Sequence, residues 1–360
     1  MRTPAIALPA DAPFRRLVGI GGIGTGLFLA VEGDSTIGRT ESRAARLLDV
    51  HDYCKLHTVT HHVAVLLGAR PDGVPFHVAP IGVVGRDDAG ERMVVEMAAA
   101  GIDVEHVRTV PDRPTLFSVC FQYPDGEGGN ITTGDSAAAA LSDGDVEAAA
   151  GLMDQQTIAL AQPEVPLEPR RRFLQAAGER GCFRAASFTS SELDEARGTD
   201  LFSLVDLVSL NAHEAATIVG ADLDPTNAAP FLATCADAFP AGTGVVITAA
   251  ADGGYAIQRG RWTHRPAPVV EVVSTAGCGD ALLAGVLVGL AGGAPLIGET
   301  GGPADDALSL GVVLASLNAT SPHTIHPGAT VMAVRDLAAR SGVAFGGPLS
   351  ALLEPQEARA

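Results

Sequence analysis

A glycine-rich turn followed by a carboxylate opens an apolar helix late in the chain, at residues 274–285. Gly277, Cys278 and Gly279 come directly before Asp280, and the next five residues carry no charge. Glycines at a helix N-terminus let backbone N–H groups point at an anion, and the helix dipole adds to the attraction. A carboxylate in this position can simply stabilise the first helical turn. It can also accept a hydroxyl proton while the neighbouring amides hold the charge of a group in transfer. The turn therefore predicts an anion site with Asp280 as a candidate base.

A second polar group follows an apolar, strand-like run at residues 204–210. Asn211 comes directly after this run, and Glu214 lies three residues further on. Oxygen-bearing side chains at the end of a strand suit Mg²⁺, directly or through water, because this hard cation prefers carboxylate, carbonyl and water ligands. The same spacing is that of an ordinary capping box, in which the two side chains close the first turn of a helix. The residues alone leave both interpretations open.

These groups need a framework, and the sequence indicates one built from alternating short strands and helices. Each run of strand character is followed by a stretch of helical period, at 76–84 and 90–100, at 157–160 and 168–177, and at 204–210 and 212–219. Such alternation predicts βαβ units and a mostly parallel central sheet in an α/β fold.

Two stretches break this alternation. Residues 26–48 have the pattern of strand, turn and strand, and residues 115–133 that of a hairpin around a turn at 124–129. Neither has the length or period of a crossover helix, so we predict a small β-sheet that acts as a lid beside the strand ends. An exposed apolar face on this lid would favour a homodimer. We expect one domain over 1–360 that ends in an irregular tail at 347–360.

Composition limits the class of protein. Of the 360 residues, 47% are apolar and 18% charged, which is typical of a chain with a large buried core and excludes intrinsic disorder. The formal charge is −18 without any basic block, which argues against nucleic acid or an anionic membrane as a partner. The uncharged stretch at 281–298 contains five glycines and a proline, which favours a buried helix over a membrane span.

Cysteine usage points to a reducing compartment. The five cysteines are odd in number, widely spaced and without a C-x-x-C pair, so neither a disulfide framework nor a structural zinc site is indicated. The N-terminus lacks an apolar segment followed by a cleavage site, so no signal peptide is expected. Together these observations predict a cytoplasmic protein.

Taken together, these motifs resemble the ribokinase-like (PfkB) family of carbohydrate kinases over about residues 17–340. The G-x-G-D turn at 277–280 is the most specific match, and the stretches at 82–90, 162–168 and 211–214 follow the family pattern in the correct order. The resemblance implies a three-layer α/β/α sandwich with a small β-sheet lid. It also implies an ATP- and Mg²⁺-dependent phosphotransferase whose acceptor is a hydroxyl of a sugar, a nucleoside or a related small polyol.

The resemblance assigns roles to residues that match the family motifs. Asp280 would be the catalytic base, and the N–H groups of Gly277, Cys278 and Gly279 would form the anion hole. On the nucleotide side, Asn211 and Glu214 would position Mg²⁺ and the ATP phosphates, Thr248 would border the nucleotide, and Asn318 would lie near adenine. Glu164 falls where the family contacts sugar hydroxyls.

The departures from the family pattern lie mainly on the acceptor side. The aspartate expected just after the first strand has no counterpart at 21–26, and the expected Gly-Gly-x-x-x-Asn is replaced at 57–62, with a histidine at the asparagine position. Candidate replacements for acceptor binding are Asp34, Lys55, His57 and His62. Ser274 stands where the family has an aspartate that helps to bind a monovalent cation, so activation by potassium is not implied.

Three other interpretations compete with this one. Residues 19–24 satisfy G-x-G-x-x-G, but the residues that follow look extended, whereas a dinucleotide fingerprint should open a helix. His57 and His61, with His51 and His62 nearby, have the spacing of a zinc pair, but no acid or thiol completes the set. A pseudokinase that binds without turnover would explain the altered acceptor motifs, but it would not need the intact turn at 277–280.

Overall fold

Short strands alternate with helices along the chain, as the sequence predicts. In this computed structural model, which describes residues 5–124, 128–298 and 303–354, the strands are β1 (Arg16–Ile20), β2 (Gly24–Val31), β3 (Ala45–Tyr53), β4 (His77–Gly85), β5 (Val107–Val110), β6 (Leu116–Gln122), β7 (Gly128–Thr132), β8 (Thr157–Ala161), β9 (Phe183–Ser187), β10 (Leu207–Asn211), β11 (Gly244–Thr248), β12 (Gly254–Gln258) and β13 (Arg261–Arg265). The α-helices are α1 (Lys55–Leu67), α2 (Asp88–Ala99), α3 (Asp143–Ala149), α4 (Leu167–Glu179), α5 (Ser190–Arg197), α6 (Ala212–Val219), α7 (Ala228–Asp237), α8 (Cys278–Ala291), α9 (Ala307–Asn318), α10 (Val331–Arg340) and α11 (Gly347–Leu353).

The central sheet has nine strands in the order β13-β12-β11-β10-β9-β8-β1-β4-β5. All neighbours from β11 to β5 run parallel, and only β12 and β13 pair in the antiparallel sense. Parallel neighbours need crossover connections, and the helices between the strands supply them. The predicted mostly parallel sheet is therefore confirmed.

Helices cover both faces of this sheet and produce three layers. The first core contains residues of α1, α2 and α8 to α11, and the second contains residues of α3 to α7. The strands divide their side chains between the two cores in alternation; on β1, Leu17 belongs to the first core and Val18 to the second. This alternation follows from the two-residue period of a strand, and it makes the strands apolar on both faces.

A separate four-stranded sheet, in the order β3-β2-β6-β7, contains the strands of the two stretches that break the alternation. We call it the lid sheet. β2 pairs parallel with β6 and antiparallel with β3, and β7 closes a hairpin with β6. The tip of the predicted hairpin at 125–127 lies outside the described residues. Because β2 directly follows the G-x-G-x-x-G stretch, that stretch opens a strand and not the helix of a dinucleotide fingerprint.

Close packing of α8 against α9 fixes the helix that carries the predicted base. A Cβ atom added at Gly285 would lie 2.6 Å from the Gly311 Cα, so the two backbones approach each other through residues without side chains. α8 contains the first part of the uncharged stretch at 281–298, and nearly all of its residues from Ala281 onwards are buried. Among the described residues, no helix has both the length and the apolar character that crossing a membrane requires.

The C-terminal segment differs from the irregular tail that the sequence led us to expect. α11 covers Gly347–Leu353 and buries three leucines, of which Leu352 packs against Gly292 after α8. A helix of seven residues contains too few turns to show a recognisable period. Residues 355–360 of the predicted tail lie outside the described residues.

Candidate active site

The first turn of α8 holds the predicted anion hole. Gly277 precedes the helix with φ of 72°, a left-handed conformation that favours glycine. A Cβ atom at this position would come within 2.1 Å of the Thr324 carbonyl oxygen, so the turn also needs glycine for space. The N–H of Cys278 donates to the Thr275 carbonyl at 3.2 Å. Within the described residues, the N–H groups of Gly277 and Gly279 have no backbone acceptor, so they remain the donors for an anion.

Asp280 lies in this first turn and faces the ammonium group of Lys55. The Lys55 Nζ is 3.8 Å from the Asp280 Oδ1, and the Asp280 side chain is only 15% exposed. Burial raises the pKa of Asp280, and the positive charge of Lys55 opposes that rise. The same carboxylate, acting against burial, holds the pKa of Lys55 above its ordinary value. The Lys55 ammonium therefore favours the charged form of a desolvated carboxylate, which is the state that a proton acceptor needs.

Glu164 adds a second carboxylate beside Lys55. It follows β8 with φ of 72°, a conformation that is unusual for a residue with a side chain and is often found at functional sites. Its Oε2 accepts a hydrogen bond from the Lys55 backbone N–H at 3.4 Å. Burial raises its pKa to about 7, against the lowering effect of the Lys55 charge. A Cβ atom at Gly22 would lie 2.6 Å from the Glu164 Cβ, so Glu164 packs directly on the turn between β1 and β2.

A cleft of about 1130 Å³ extends from Asp280 along the carboxyl ends of β10 and β11. Its walls combine polar groups near α8 with apolar side chains further away, and they include Asn211, Glu214, Thr248, Gly277, Cys278, Gly279, Val269, Val270 and Val272. Ligands of parallel α/β sheets bind at the carboxyl ends of the strands, so the position of the cleft is the expected one. The cleft brings together the predicted base, the predicted anion hole and three of the four predicted nucleotide contacts.

Asn211 and Glu214 form the capping box that their spacing predicted, and they also lie at the cleft. In the capping box, the Asn211 N–H donates to the Glu214 Oε2 and the Glu214 N–H donates to the Asn211 Oδ1, both at 2.8 Å. One Glu214 carboxylate oxygen remains outside this pair, and both residues line the cleft. Burial raises the pKa of Glu214, with opposing contributions from the Asn211 N–H and Lys55.

Metal-binding groups are sparse in the described parts of the chain. No set of three or more His, Cys, Asp or Glu side chains there is placed to hold a metal ion, so the zinc alternative at His57 and His61 gains no support. Mg²⁺ usually takes one or two carboxylates and completes its shell with waters and substrate phosphates. The free oxygen of Glu214 fits this requirement, with Asn211 next to it.

The resemblance predicts Asn318 near adenine, but the structure does not place it in the lining of the cleft. It is fully buried, and its Nδ2 donates to the carbonyls of Ala276 at 3.1 Å and Thr324 at 3.3 Å. Its Oδ1 accepts from the His326 N–H at 3.0 Å. Asn318 therefore ties the glycine-rich turn to the loop after α9. This role could not be predicted from the sequence, because all three of these partners are backbone groups, which carry no sequence signature.

Of the five predicted acceptor contacts, three lie elsewhere. Asp34 is exposed in the connection between β2 and β3, where it pairs with Arg43. His57 and His62 are buried in α1, the former against the Tyr53 ring at a centroid distance of 4.6 Å, and neither lines the cleft. Burial lowers the pKa of each to about 3, so both histidines are neutral core groups. The prediction failed because α1 packs on the sheet and on α8 and is therefore buried nearly all round.

One carboxylate near the site escaped the sequence analysis. Asp52 lies on β3, is only 8% exposed, and has its pKa raised to about 6, chiefly by burial and to a smaller extent by the charge of Asp280. The one sequence feature that could have indicated Asp52 is its position three residues before the only lysine of the chain.

Solved structures show the same fold. The chain matches a ribokinase from Giardia lamblia with a TM-score of 0.71 at 17% identity, covering 90% of this chain and 98% of that one. It matches a ribokinase from Cryptococcus neoformans var. grubii serotype A in complex with ADP with a TM-score of 0.70 at 19% identity. This match covers 89% of this chain and 99% of that one. It also matches a ribokinase from Arabidopsis thaliana complexed with ribose and ATP with a TM-score of 0.65 at 19% identity. This match covers 91% of this chain and 98% of that one.

Sequence comparison gives the family. No curated protein sequence matches the chain. The profile of the pfkB family of carbohydrate kinases matches residues 61–330, which is most of the chain and includes the glycine-rich turn, Asp280, Asn211 and Glu214. With the ribokinase-like fold and the cleft at its strand ends, this match shows that the chain belongs to the pfkB family of carbohydrate kinases.

Proposed function

We propose that this protein transfers the γ-phosphoryl group of ATP to a hydroxyl of a sugar, a nucleoside or a related small polyol. The observation that carries the proposal is the position of Asp280, a buried carboxylate in the first turn of α8 with the Lys55 Nζ at 3.8 Å and the open N–H groups of Gly277 and Gly279 beside it. Family membership and the nucleotide complexes of the ribokinases from Cryptococcus neoformans and Arabidopsis thaliana support ATP as the donor.

The chemistry rests on positioning and on charge. The acceptor hydroxyl gives its proton to an Asp280 oxygen as its own oxygen attacks the γ-phosphorus. The bond from that phosphorus to the β–γ bridging oxygen breaks, and ADP leaves with the electron pair. The N–H groups at the start of α8 stabilise the negative charge on the transferred group. Asp280 then releases its proton to water, and the base is regenerated.

Glu214 and Asn211 would hold Mg²⁺ through the free carboxylate oxygen and through water. When bound, Mg²⁺ supplies positive charge to the triphosphate. The apolar walls near Val269 and Val272 suit a nucleobase, and the lid sheet would keep water away from the acceptor. The homodimer through the lid sheet stays a prediction, supported by the exposed side chains of Leu47 and Ile131 on its strands.

An assay of ADP release tests the proposal. Purified protein with Mg-ATP is offered a panel of sugars, nucleosides and polyols, and we expect ADP release that depends on one acceptor class. The phosphorylated product is identified by mass spectrometry. ATP binding by calorimetry without transfer to any acceptor would instead favour the binding-only pseudokinase. Absence of both ATP binding and transfer would refute the proposal.

Lys55 offers a test of how the base stays charged. Replacing Lys55 with methionine is expected to move the acid limb of the kcat–pH profile to higher pH by about one unit or more, because the Asp280 carboxyl loses the cation that opposes the effect of burial. Asp280 would then hold its proton to a higher pH and could not accept another. Lys55→Arg keeps the charge and should restore most of the profile. Identical profiles for Lys55→Met and the wild type would contradict this role.

A further inference from the structure

Asp52 is a buried carboxylate that has no role in the proposed reaction. It pairs with Gly26 across the lid sheet, and a Cβ atom added at Gly26 would lie 2.3 Å from the Asp52 Oδ2. The side chain therefore extends over β2 towards β6, where its side-chain partner is the Cys120 thiol at 3.8 Å from Sγ to Oδ2. Burial raises the pKa of Asp52 to about 6 and outweighs the Tyr53 backbone N–H and this thiol, a weak donor, which both lower it.

A second buried aspartate shows what a structural role looks like in this chain. Asp306 is fully buried, and it receives hydrogen bonds from the Arg265 guanidinium, the Ser309 N–H and the Ser309 hydroxyl. Within the described residues, Asp52 has no ion pair. A buried carboxylate with so little compensation lowers stability, so a purely structural explanation for Asp52 is weak.

Chain order places Asp52 close to the proposed catalytic groups. It lies near the end of β3, two residues before Cys54, which is the residue that precedes α1. Cys54 is buried next to the charges of Glu164, Asp52 and Asp280, which with burial raise its thiol pKa. Lys55 follows Cys54 and contacts both Glu164 and Asp280. Asp52 therefore lies on the strand of the lid sheet that leads directly into the group formed by Lys55, Glu164 and Asp280.

The charges near Lys55 bear on which acceptor can bind. Asp52 and Glu164 are carboxylates outside the cleft lining, and Asp280 lies in it. Among the described residues that line the cleft, Lys55 is the only lysine and no arginine is present. Arg92 reaches the lid sheet at the Thr25 hydroxyl, but its guanidinium is paired with Glu96 at 3.9 Å. A phosphate monoester would bring two further negative charges among these carboxylates, whereas hydroxyl groups would donate hydrogen bonds to them.

We propose that Asp52 binds hydroxyls of the acceptor other than the one that is phosphorylated, opposite Glu164, and that the acceptor therefore carries no phosphate group. This inference rests on the proposed kinase function. It explains how the chain does without an aspartate after β1, since Gly22 is packed under Glu164 and the missing carboxylate comes from the lid sheet instead.

The test compares paired acceptors and paired variants. Ribose is assayed against ribose 5-phosphate, fructose against fructose 6-phosphate, and adenosine against AMP, and we expect kcat/KM for the neutral member of the accepted pair to be higher by about 10²-fold or more. Asp52→Asn should raise KM for the neutral acceptor by about 10- to 100-fold and leave KM for ATP unchanged. Asp49→Asn, on the exposed part of the same strand, should change neither constant.

Stability separates a binding role from a structural one. If Asp52 serves the acceptor, Asp52→Asn keeps or raises the thermal midpoint, because it removes a poorly compensated buried charge. A lower midpoint together with an unchanged acceptor KM would overturn the proposal. Preference for a phosphorylated acceptor would also overturn it, while Asp280-dependent transfer to that acceptor would leave the kinase function intact.

Binding decides the case in which no acceptor is turned over. The same pairs are then titrated by calorimetry into protein that is loaded with a non-hydrolysable ATP analogue. Binding of a neutral polyol that weakens in Asp52→Asn supports the proposal, and absence of such binding overturns it. Failure of the kinase function itself would appear separately, as failure of the ATP analogue to bind.

Discussion

Replacing Asp280 with asparagine is expected to lower kcat by about 10²- to 10⁴-fold while Mg-ATP still binds. Asparagine has nearly the same shape as aspartate but cannot accept the hydroxyl proton, so the loss falls on the chemical step. The Lys55 Nζ, 3.8 Å from the Asp280 Oδ1, opposes the effect of burial and favours the charged carboxylate in the wild type. The measurement is single-turnover transfer at saturating acceptor, with calorimetric titration of the nucleotide in parallel.

A matched control comes from another acid in a first helical turn. Asp143 lies in the first turn of α3 on the exposed surface, so Asp143→Asn makes the same chemical change at the same kind of helix position, away from the cleft. It should leave kcat unchanged. Turnover of Asp280→Asn close to that of the wild type would remove Asp280 from the role of base and leave only the helix-stabilising interpretation.

Replacing Gly277 with alanine is expected to reduce kcat by about 10²- to 10³-fold, which is the usual effect of losing an anion-hole donor. The added Cβ atom would lie 2.1 Å from the Thr324 carbonyl oxygen, so the turn must move and its N–H groups lose their direction. The thermal midpoint should fall as well. The measurements are kcat at saturating substrates and thermal unfolding of the same preparation.

Gly260 provides a nearly ideal comparison for this variant. Its φ is 71°, against 72° at Gly277, but a Cβ atom at Gly260 would meet nothing within 4 Å. Gly260→Ala therefore adds the strain of a left-handed backbone conformation, about 1 kcal/mol, without the steric clash that the same change causes at Gly277. It should destabilise slightly and keep full activity. Equal effects of the two substitutions on kcat would show that the space at Gly277 is not what sets the anion hole.

Local chemistry explains what could be predicted from the sequence. The helix predicted at 212–219 is present as α6, because an apolar strand, a capping pair and a helical period are all encoded within a short segment. The turn before Asp280 was recognisable for the same reason, since glycines and a first-turn acid at a helix start are local features. The parallel sheet followed from the repetition of such units along the chain.

Long-range contacts explain what could not be predicted. The fixing of Asn318 to the backbone at Ala276 and Thr324 depends on how α9 packs, which no local pattern records. His57 and His62 were expected at the acceptor because they stand where the family motif has Gly-Gly-x-x-x-Asn, yet α1 packs against α8 and buries both side chains. Asp52 could not be recognised as a site residue from the sequence, because its position opposite Gly26 depends on the pairing of β3 with β2.

The contact between Lys55 and Asp280 also affects how the protein can be handled chemically. Lys55 is the only lysine among 360 residues, so a reagent that acylates side-chain amines has one target in the chain, and its Nζ faces Asp280. Acylation there would remove the charge that opposes protonation of the Asp280 carboxyl. Fluorescent labelling, amine crosslinking or coupling to an activated surface through lysine would therefore modify the proposed catalytic centre. Thiol reagents could reach the free Cys278 in the cleft, so a terminal tag is the appropriate handle.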